Sequence, residues 1–165
     1  MRFTLIQSVL AVALLSLGVA IGTTLFVNAK QRQRVEICGN NLGTLWKAAQ
    51  CRRLLRFGGT QPGYQYGYGA AFWRALRSQE ANPSPMDAAT TLRNASVLQC
   101  PLAATDYRGP SGDANQYGDN DPLGADAIDA HGSQSPTNVL LKSGTVMLVQ
   151  RPHPIWVAAY QMTCP

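Results

Sequence analysis

Few residues in this chain have side chains suited to chemistry. Four cysteines, Cys38, Cys51, Cys100 and Cys164, form an even set with no C-x-x-C pair. Behind an apolar export-type segment, such a set reads as disulfides formed outside the cytoplasm. A zinc site drawing on His131 and His153 fits no known ligand spacing. The densest oxygen cluster is DNDPLGADAID, with Asp119, Asp121, Asp126 and Asp129. Calcium takes about 6–8 oxygen ligands, and a loop of this kind can fold around it. Calcium is therefore the one candidate cofactor. The spacing is not that of an EF-hand, because Ala130 stands where the loop-closing glutamate belongs. The same Asp, Asn, Gly and Pro residues also serve as plain turn formers. His131 lies near Asp126 and Asp129, yet no G-x-S-x-G elbow or H-E-x-x-H pair accompanies it. General acid–base work needs a nucleophile or metal partner, and the sequence supplies none. The expectation is a protein that is not an enzyme, with no catalytic residues and no small-molecule substrate.

These residues hang on a strongly segregated chain. It has 165 residues, a net charge of +5, 45% hydrophobic residues and only 14% charged ones. The length suits one domain with a modest core. The stretch FTLIQSVLAVALLSLGVAIGTTLFVNA carries no charge between Arg2 and Lys30. As a helix it would be roughly 40 Å long, against about 30 Å of hydrocarbon in a bilayer. That length exceeds the apolar core of a signal peptide, about 7–15 residues. Val27-Asn28-Ala29 still offers a small-residue cleavage site. Lys30, Arg32, Arg34, Lys47, Arg52, Arg53 and Arg56 crowd the next segment, opposed there only by Glu36. A basic segment beside an apolar helix fits anionic lipid head groups. Nucleic acid is not an expected partner, since no basic stripe with interleaved aromatics follows.

After Ala29, Val35, Leu42, Leu45, Trp46, Ala49 and Leu54 recur at helical spacing. The spacing predicts a stem helix over about 30–56, weakened at Gly39 and Gly43 by about 1 kcal/mol each and ended by FGGTQPG. Along such a helix Cys38 and Cys51 lie about 20 Å apart. A disulfide needs α-carbons within about 7 Å, so each must reach Cys100 or Cys164. Two connectivities remain.

A loop-rich middle covers 57–137. Within it Tyr64, Tyr66 and Tyr68 alternate as in an extended segment, and 70–77 reads as a short helix. The segment MDAATTLRNASVLQCP reads as a second short helix or a crossover, and the text from Asp106 as loop. Strands are expected over 138–141 and 145–150, turning at Gly144, and a last strand over 155–162. The fold class is α+β: a long N-terminal helix, half membrane and half stem, packed by a small antiparallel sheet. The domains are 1–29 and 30–165.

The stretch from Phe3 to Gly22 resembles the mature N-terminus of type IV pilins and pseudopilins, with Phe3 as the family's first residue and Gln7 at its fifth, where glutamate is usual. Gly18 and Gly22 would let a neighbouring helix approach closely. The likeness extends along the chain to pilin-like proteins of planctomycete-type bacteria. CGNNL at Cys38–Leu42, Cys100-Pro101, and His131, Asn138-Val139-Leu140, Ser143-Gly144 and Val146 match motifs of that family, with Ser143 in place of its aspartate. The resemblance implies a structural subunit of a type II secretion or type IV pilus-like assembly. Its partners would be other pilin-like subunits and the membrane. The body would lie in the periplasm below a single inner-membrane helix, or in an extracellular filament. It also implies pairing of Cys38 with Cys100, which leaves Cys51 with Cys164. The alternatives are a membrane-anchored binding module that stays monomeric, using the Tyr64–Tyr68 edge or the acidic loop, and a secreted protein cleaved after Ala29.

Overall fold

In the computed structural model, residues 5–51, 67–78, 95–132 and 135–165 are described. Phe3, Tyr64, Tyr66, the expected end of the stem helix at 52–56 and the expected second short helix before Ala95 lie outside them. The chain forms two compact units, Met1–Arg34 and Val35–Pro165. Helix α1, Leu5–Cys51, contributes to both.

In the first unit the helix turns its apolar residues to the outside. Leu10, Leu14, Leu17, Ile21, Leu25 and Phe26 are all more than half exposed. The hydroxyls are satisfied within the helix: Ser16 donates to the Ala13 carbonyl, Thr23 to Ala20, and Thr24 to Ala20 and Ile21. A helix that satisfies its own polar groups and exposes apolar ones is suited to lipid, where no water completes hydrogen bonds. The helix is long and apolar enough to cross a membrane, with a mean hydropathy of 2.3 in its most apolar window. Gly18 and Gly22 have open space where a Cβ would stand.

In the second unit the same helix is a core element. Cys38, Leu42, Leu45, Ala48 and Ala49 form one buried stripe, the i, i+4, i+7 pattern of an amphipathic helix. Opposite them lie Phe72, Trp73, Leu98, Cys100, Tyr107, Leu123 and Leu140. Helix α2, Ala70–Ser78, delivers Phe72 and Trp73 as an edge-to-face pair with centroids 4.8 Å apart. The expected helix over 70–77 is thus present.

Strands β4 (Pro122–Ala125), β5 (Thr137–Leu141) and β6 (Val146–Val149) form an antiparallel sheet in that order. The expected hairpin is there, and Gly144 turns it at φ +92°. Alternation along β5 decides its two faces. Leu140 joins the core under α1, while Val139 and Leu141 join a second cluster with Ala125, Val149 and Ala159. Gly39 and Gly43 weaken α1 locally, but they also make room for the hairpin. A Cβ on Gly39 would stand 3.0 Å from the Asn138 side chain, and one on Gly43 would touch Val146. A Cβ on Gly144 would meet the Trp46 ring at 2.6 Å, and that ring donates Nε1–H to the Lys142 carbonyl at 2.9 Å.

Two expectations are corrected. Residues 155–162 are not a strand but lie in helix α3, Pro154–Met162. The β-branched and aromatic run resembles a strand, but Pro154 fixes a helical first turn and the His153 ring accepts the Ile155 N–H at 3.2 Å. Ala159, with half-buried Ile155 and Trp156, then packs on the second face of the sheet. The middle of the chain is also more ordered than loop. It holds β1 (Gln99–Cys100) paired with β2 (Thr105–Asp106), and β3 (Gly109–Pro110) paired with the C-terminal β7 (Thr163–Cys164). Such two-residue ladders leave no periodic signal in a sequence. Buried Arg108 ties this end together. Its guanidinium donates to the Thr163 hydroxyl at 3.0 Å, and to the Thr163 and Tyr160 carbonyls.

Candidate metal centre

Four potential ligands meet where α1, the end of β1, the end of β4 and the following loop converge. Cys38 comes from α1, Cys100 closes β1, Asp126 follows β4, and His131 ends the acidic loop. All four are buried, and their ligand atoms lie within 4.8 Å of one another. Among the described residues this is the one group of His, Cys, Asp or Glu that could hold a metal ion.

Local chemistry fixes each member. After Cys100-Pro101 the chain turns tightly, with the Ala103 and Ala104 N–H groups bonded to the Cys100 carbonyl at 3.3 and 2.9 Å. The Leu102 and Ala103 amides also favour charge on the Cys100 sulfur. Asn138 is the brace. Its backbone N–H and its side-chain amide both donate to Asp126 Oδ2 at 2.9 Å, and the same amide reaches the Val35 carbonyl at 2.9 Å. His131 Nδ1 stands 3.0 Å from the Pro136 carbonyl. A carbonyl only accepts, so Nδ1 carries the proton in the neutral ring and Nε2 offers its lone pair inward. Nε2 lies 3.3 Å from Cys100 Sγ and 3.3 Å from Asp126 Oδ2. The two sulfurs are 2.6 Å apart, closer than unbonded thiols stand and longer than the about 2.05 Å of a disulfide.

This assembly is short of positive charge. A bare imidazole nitrogen facing a carboxylate oxygen repels it, so a proton or a cation must lie between them. The other oxygen, Asp126 Oδ1, is buried with no hydrogen-bond partner. Burial pushes the Asp126 carboxyl up to about 6, against the Asn138 hydrogen bonds and His131. Burial also opposes charge on His131, but the Cys100 sulfur, the Pro136 carbonyl and Asp126 outweigh it and raise its pKa. The Cys38 thiol is pushed up by its hydrogen bond to Cys100 and then by burial. Cys100 is drawn down by the bond from Cys38, and by His131, despite burial.

A pH dependence follows for chelator-treated protein. The folded Asp126 carboxyl, at about 6, holds its proton more tightly than an unfolded one at about 3.9. Stability is greatest below the unfolded value and falls as pH rises from about 4 to 6, by on the order of 3 kcal/mol. The raised His131 acts with the same sign, its contribution disappearing as pH passes its folded pKa. The lowered Cys100 thiol acts with the opposite sign, so the test is a difference: from about pH 4 to 6 the urea midpoint of the unmodified protein should fall relative to that of Asp126→Asn.

The other sequence candidates are placed apart. Asp121 Oδ2 accepts the Gly118 N–H at 2.7 Å, the Asp119 carbonyl accepts the Ser143 N–H, and Asp129 pairs with Arg151 at 2.8 Å. Only Asp126 of the four aspartates sits in the buried group. His153 caps α3. Half-buried Cys164 faces the Pro110 carbonyl at 3.8 Å, and the Cys51 side chain lies outside the described residues. Gln7 lies on the exposed helix and Tyr68 is 48% exposed. Comparison with protein-family models, curated proteins and solved structures finds no match. The structure sets Cys38 beside Cys100, the two that the resemblance brought together, and what sequence reasoning missed is that Asp126 and His131 join them. The His131–Asp126 proximity and the alternation that turns Asn138 inward were its only signals.

Proposed function

We propose that this chain is a pilin-like or pseudopilin-like structural subunit of a type II secretion or type IV pilus-like assembly. It works by packing helices with other subunits, not by catalysis. The observation that carries the reading is the double character of α1. Up to Arg34 it exposes leucine, valine and isoleucine on all sides, and from Val35 onward it buries a stripe inside an α+β unit. An apolar helix exposed on all sides needs lipid or other helices around it. A pilin-like subunit uses both in turn, lipid before assembly and a helical bundle after. Phe3, Gln7, Gly18 and Gly22 would carry the bundle contacts. The resting location would be a single inner-membrane span with the body in the periplasm, or an extracellular filament.

The test is the N-terminal sequence and intact mass of the mature protein from its native membranes, with chemical cross-linking before extraction. A mature chain that begins at Phe3 and cross-links into a ladder of its own multiples supports the reading. A chain beginning at Lys30, or one retaining the helix but monomeric after cross-linking, overturns it. The first result would make it a secreted protein and the second an anchored binding module.

A further inference from the structure

We propose that Cys38, Cys100, Asp126 and His131 together bind one zinc ion, which locks α1 of the second unit to β1, β4 and the loop after β4. The inference concerns this unit alone and holds whether or not the chain assembles.

Four observations support it. The donor set is two sulfurs, one imidazole nitrogen and one carboxylate oxygen, all buried and all within 4.8 Å. Sulfur and nitrogen donors select zinc over calcium or magnesium, which take oxygen. The edges are of the right size. Zinc holds sulfur at about 2.3 Å and nitrogen or oxygen at about 2.0 Å, so neighbouring ligands stand roughly 3.3–3.8 Å apart. The Cys100–His131 and His131–Asp126 edges are both 3.3 Å. The sulfurs, 2.6 Å apart, must separate by about 1 Å, and the widest separation in the group, up to 4.8 Å, must close by about as much, changes within reach of small side-chain rotations.

The groups that orient the ligands are in place as well. The Pro136 carbonyl at His131 Nδ1 leaves Nε2 for the metal, and Asn138 holds Asp126 by one oxygen. Metal-ligating histidines are oriented in this way. Finally, Asp126 Oδ1 is buried without a partner, although the Asp126 side chain is fully shielded from solvent. An unpaired buried carboxylate oxygen is costly, and a cation at the neighbouring Oδ2 lowers that cost by neutralising the carboxylate charge. A Cys38–Cys100 disulfide would account for the sulfurs but would leave that oxygen without a partner.

The decisive experiment uses the full chain extracted in detergent from its native membranes. Elemental analysis should find about one zinc per chain. Cys38 and Cys100 should resist alkylation until a chelator is added. Replacing the metal with cobalt should give sulfur-to-cobalt charge-transfer absorbance in the near ultraviolet. Asp126→Asn and His131→Ala, each removing a ligand, should weaken zinc by more than the roughly 10–100-fold that loss of a group orienting a ligand costs, while Cys164→Ser should leave it unchanged. The metal content and alkylation pattern of the unmodified chain decide the matter if a variant fails to fold. A cross-linked Cys38–Cys100 peptide in a non-reducing digest, with no stoichiometric metal, would overturn the proposal.

Discussion

Trp73→Ala should destabilise the second unit by about 3–5 kcal/mol, the usual cost of emptying a large aromatic site in a core. The ring is 1% exposed, so nearly all its surface is removed from water on folding. It meets Phe72 edge-on at 79°, a geometry that aromatic pairs favour. It also lies against Gly124 of β4, where an added Cβ would stand 2.7 Å from the ring. Its Nε1–H donates to the Arg108 carbonyl at 2.9 Å. Alanine therefore opens a cavity and removes one of the two donors to the Arg108 carbonyl together, the other being the Ala125 N–H. Trp73→Phe separates the two effects: it keeps much of the apolar contact and should cost about 0.5–1.5 kcal/mol, mainly for the lost hydrogen bond, since the Arg108 carbonyl still accepts the Ala125 N–H at 3.2 Å. Urea unfolding of the full chain in detergent, followed by far-ultraviolet circular dichroism, measures both. A midpoint unchanged in the alanine variant would mean that α2 is not part of the cooperative core.

Gly109→Ala is the second large effect, and it works through the backbone. A Cβ on Gly109 would stand 2.0 Å from the Gly69 carbonyl oxygen. Gly69, at φ +61°, leaves no more space, since its own Cβ would stand 2.0 Å from the Pro165 oxygen. The obstacles are main-chain atoms, so no rotamer change relieves them. The segments before α2 and at the C-terminus would have to part from β3. That would break the Gly69 N–H bond to the Pro110 carbonyl at 2.9 Å and the pairing of Gly109 with Cys164. Overpacking of a fixed site usually costs about 1–3 kcal/mol and sometimes more, and a backbone-on-backbone contact belongs at the upper end. The expected signs are a lower urea midpoint and early proteolysis near the C-terminus. Gly18→Ala is the matched control: nothing lies within 4 Å of its Cβ position, and the second unit's stability should stay within about 0.5 kcal/mol.

Zinc, if bound, raises the reference from which both losses are measured. A ligand that binds only the folded state adds stability as RT ln(1 + [L]/Kd). Both variants should therefore be compared in chelator as well as with metal.

The sequence alone determined the parts of this protein whose signal is local and periodic. The uncharged run after Arg2 implies a helix long enough for a bilayer. The recurrence of Leu42, Leu45 and Ala49 marks the buried face of its continuation. Val139, Leu140 and Gly144 announce a hairpin, because strand alternation and a positive-φ turn are properties of a few consecutive residues. The helix over Pro154–Met162 escaped, because its β-branched and aromatic composition is compatible with both periods over so short a length. Pro154 in the first turn, the cap from His153 and packing of Ala159 against the sheet chose the helix.

Apart from the approach of Cys38 to Cys100, which the resemblance implied, the buried four-residue group was decided by tertiary structure. Cys38 and Cys100 are 62 residues apart, and Cys100 and His131 are 31 apart. Nothing in either interval encodes the approach. Asp126 reads as one acid among several in a turn-forming loop, until the Asn138 brace on β5 turns it inward, away from Asp119, Asp121 and Asp129. Periodicity reports which face of an element is buried. It does not report which buried faces meet, and it is that meeting which sets two sulfurs, an imidazole and a carboxylate side by side.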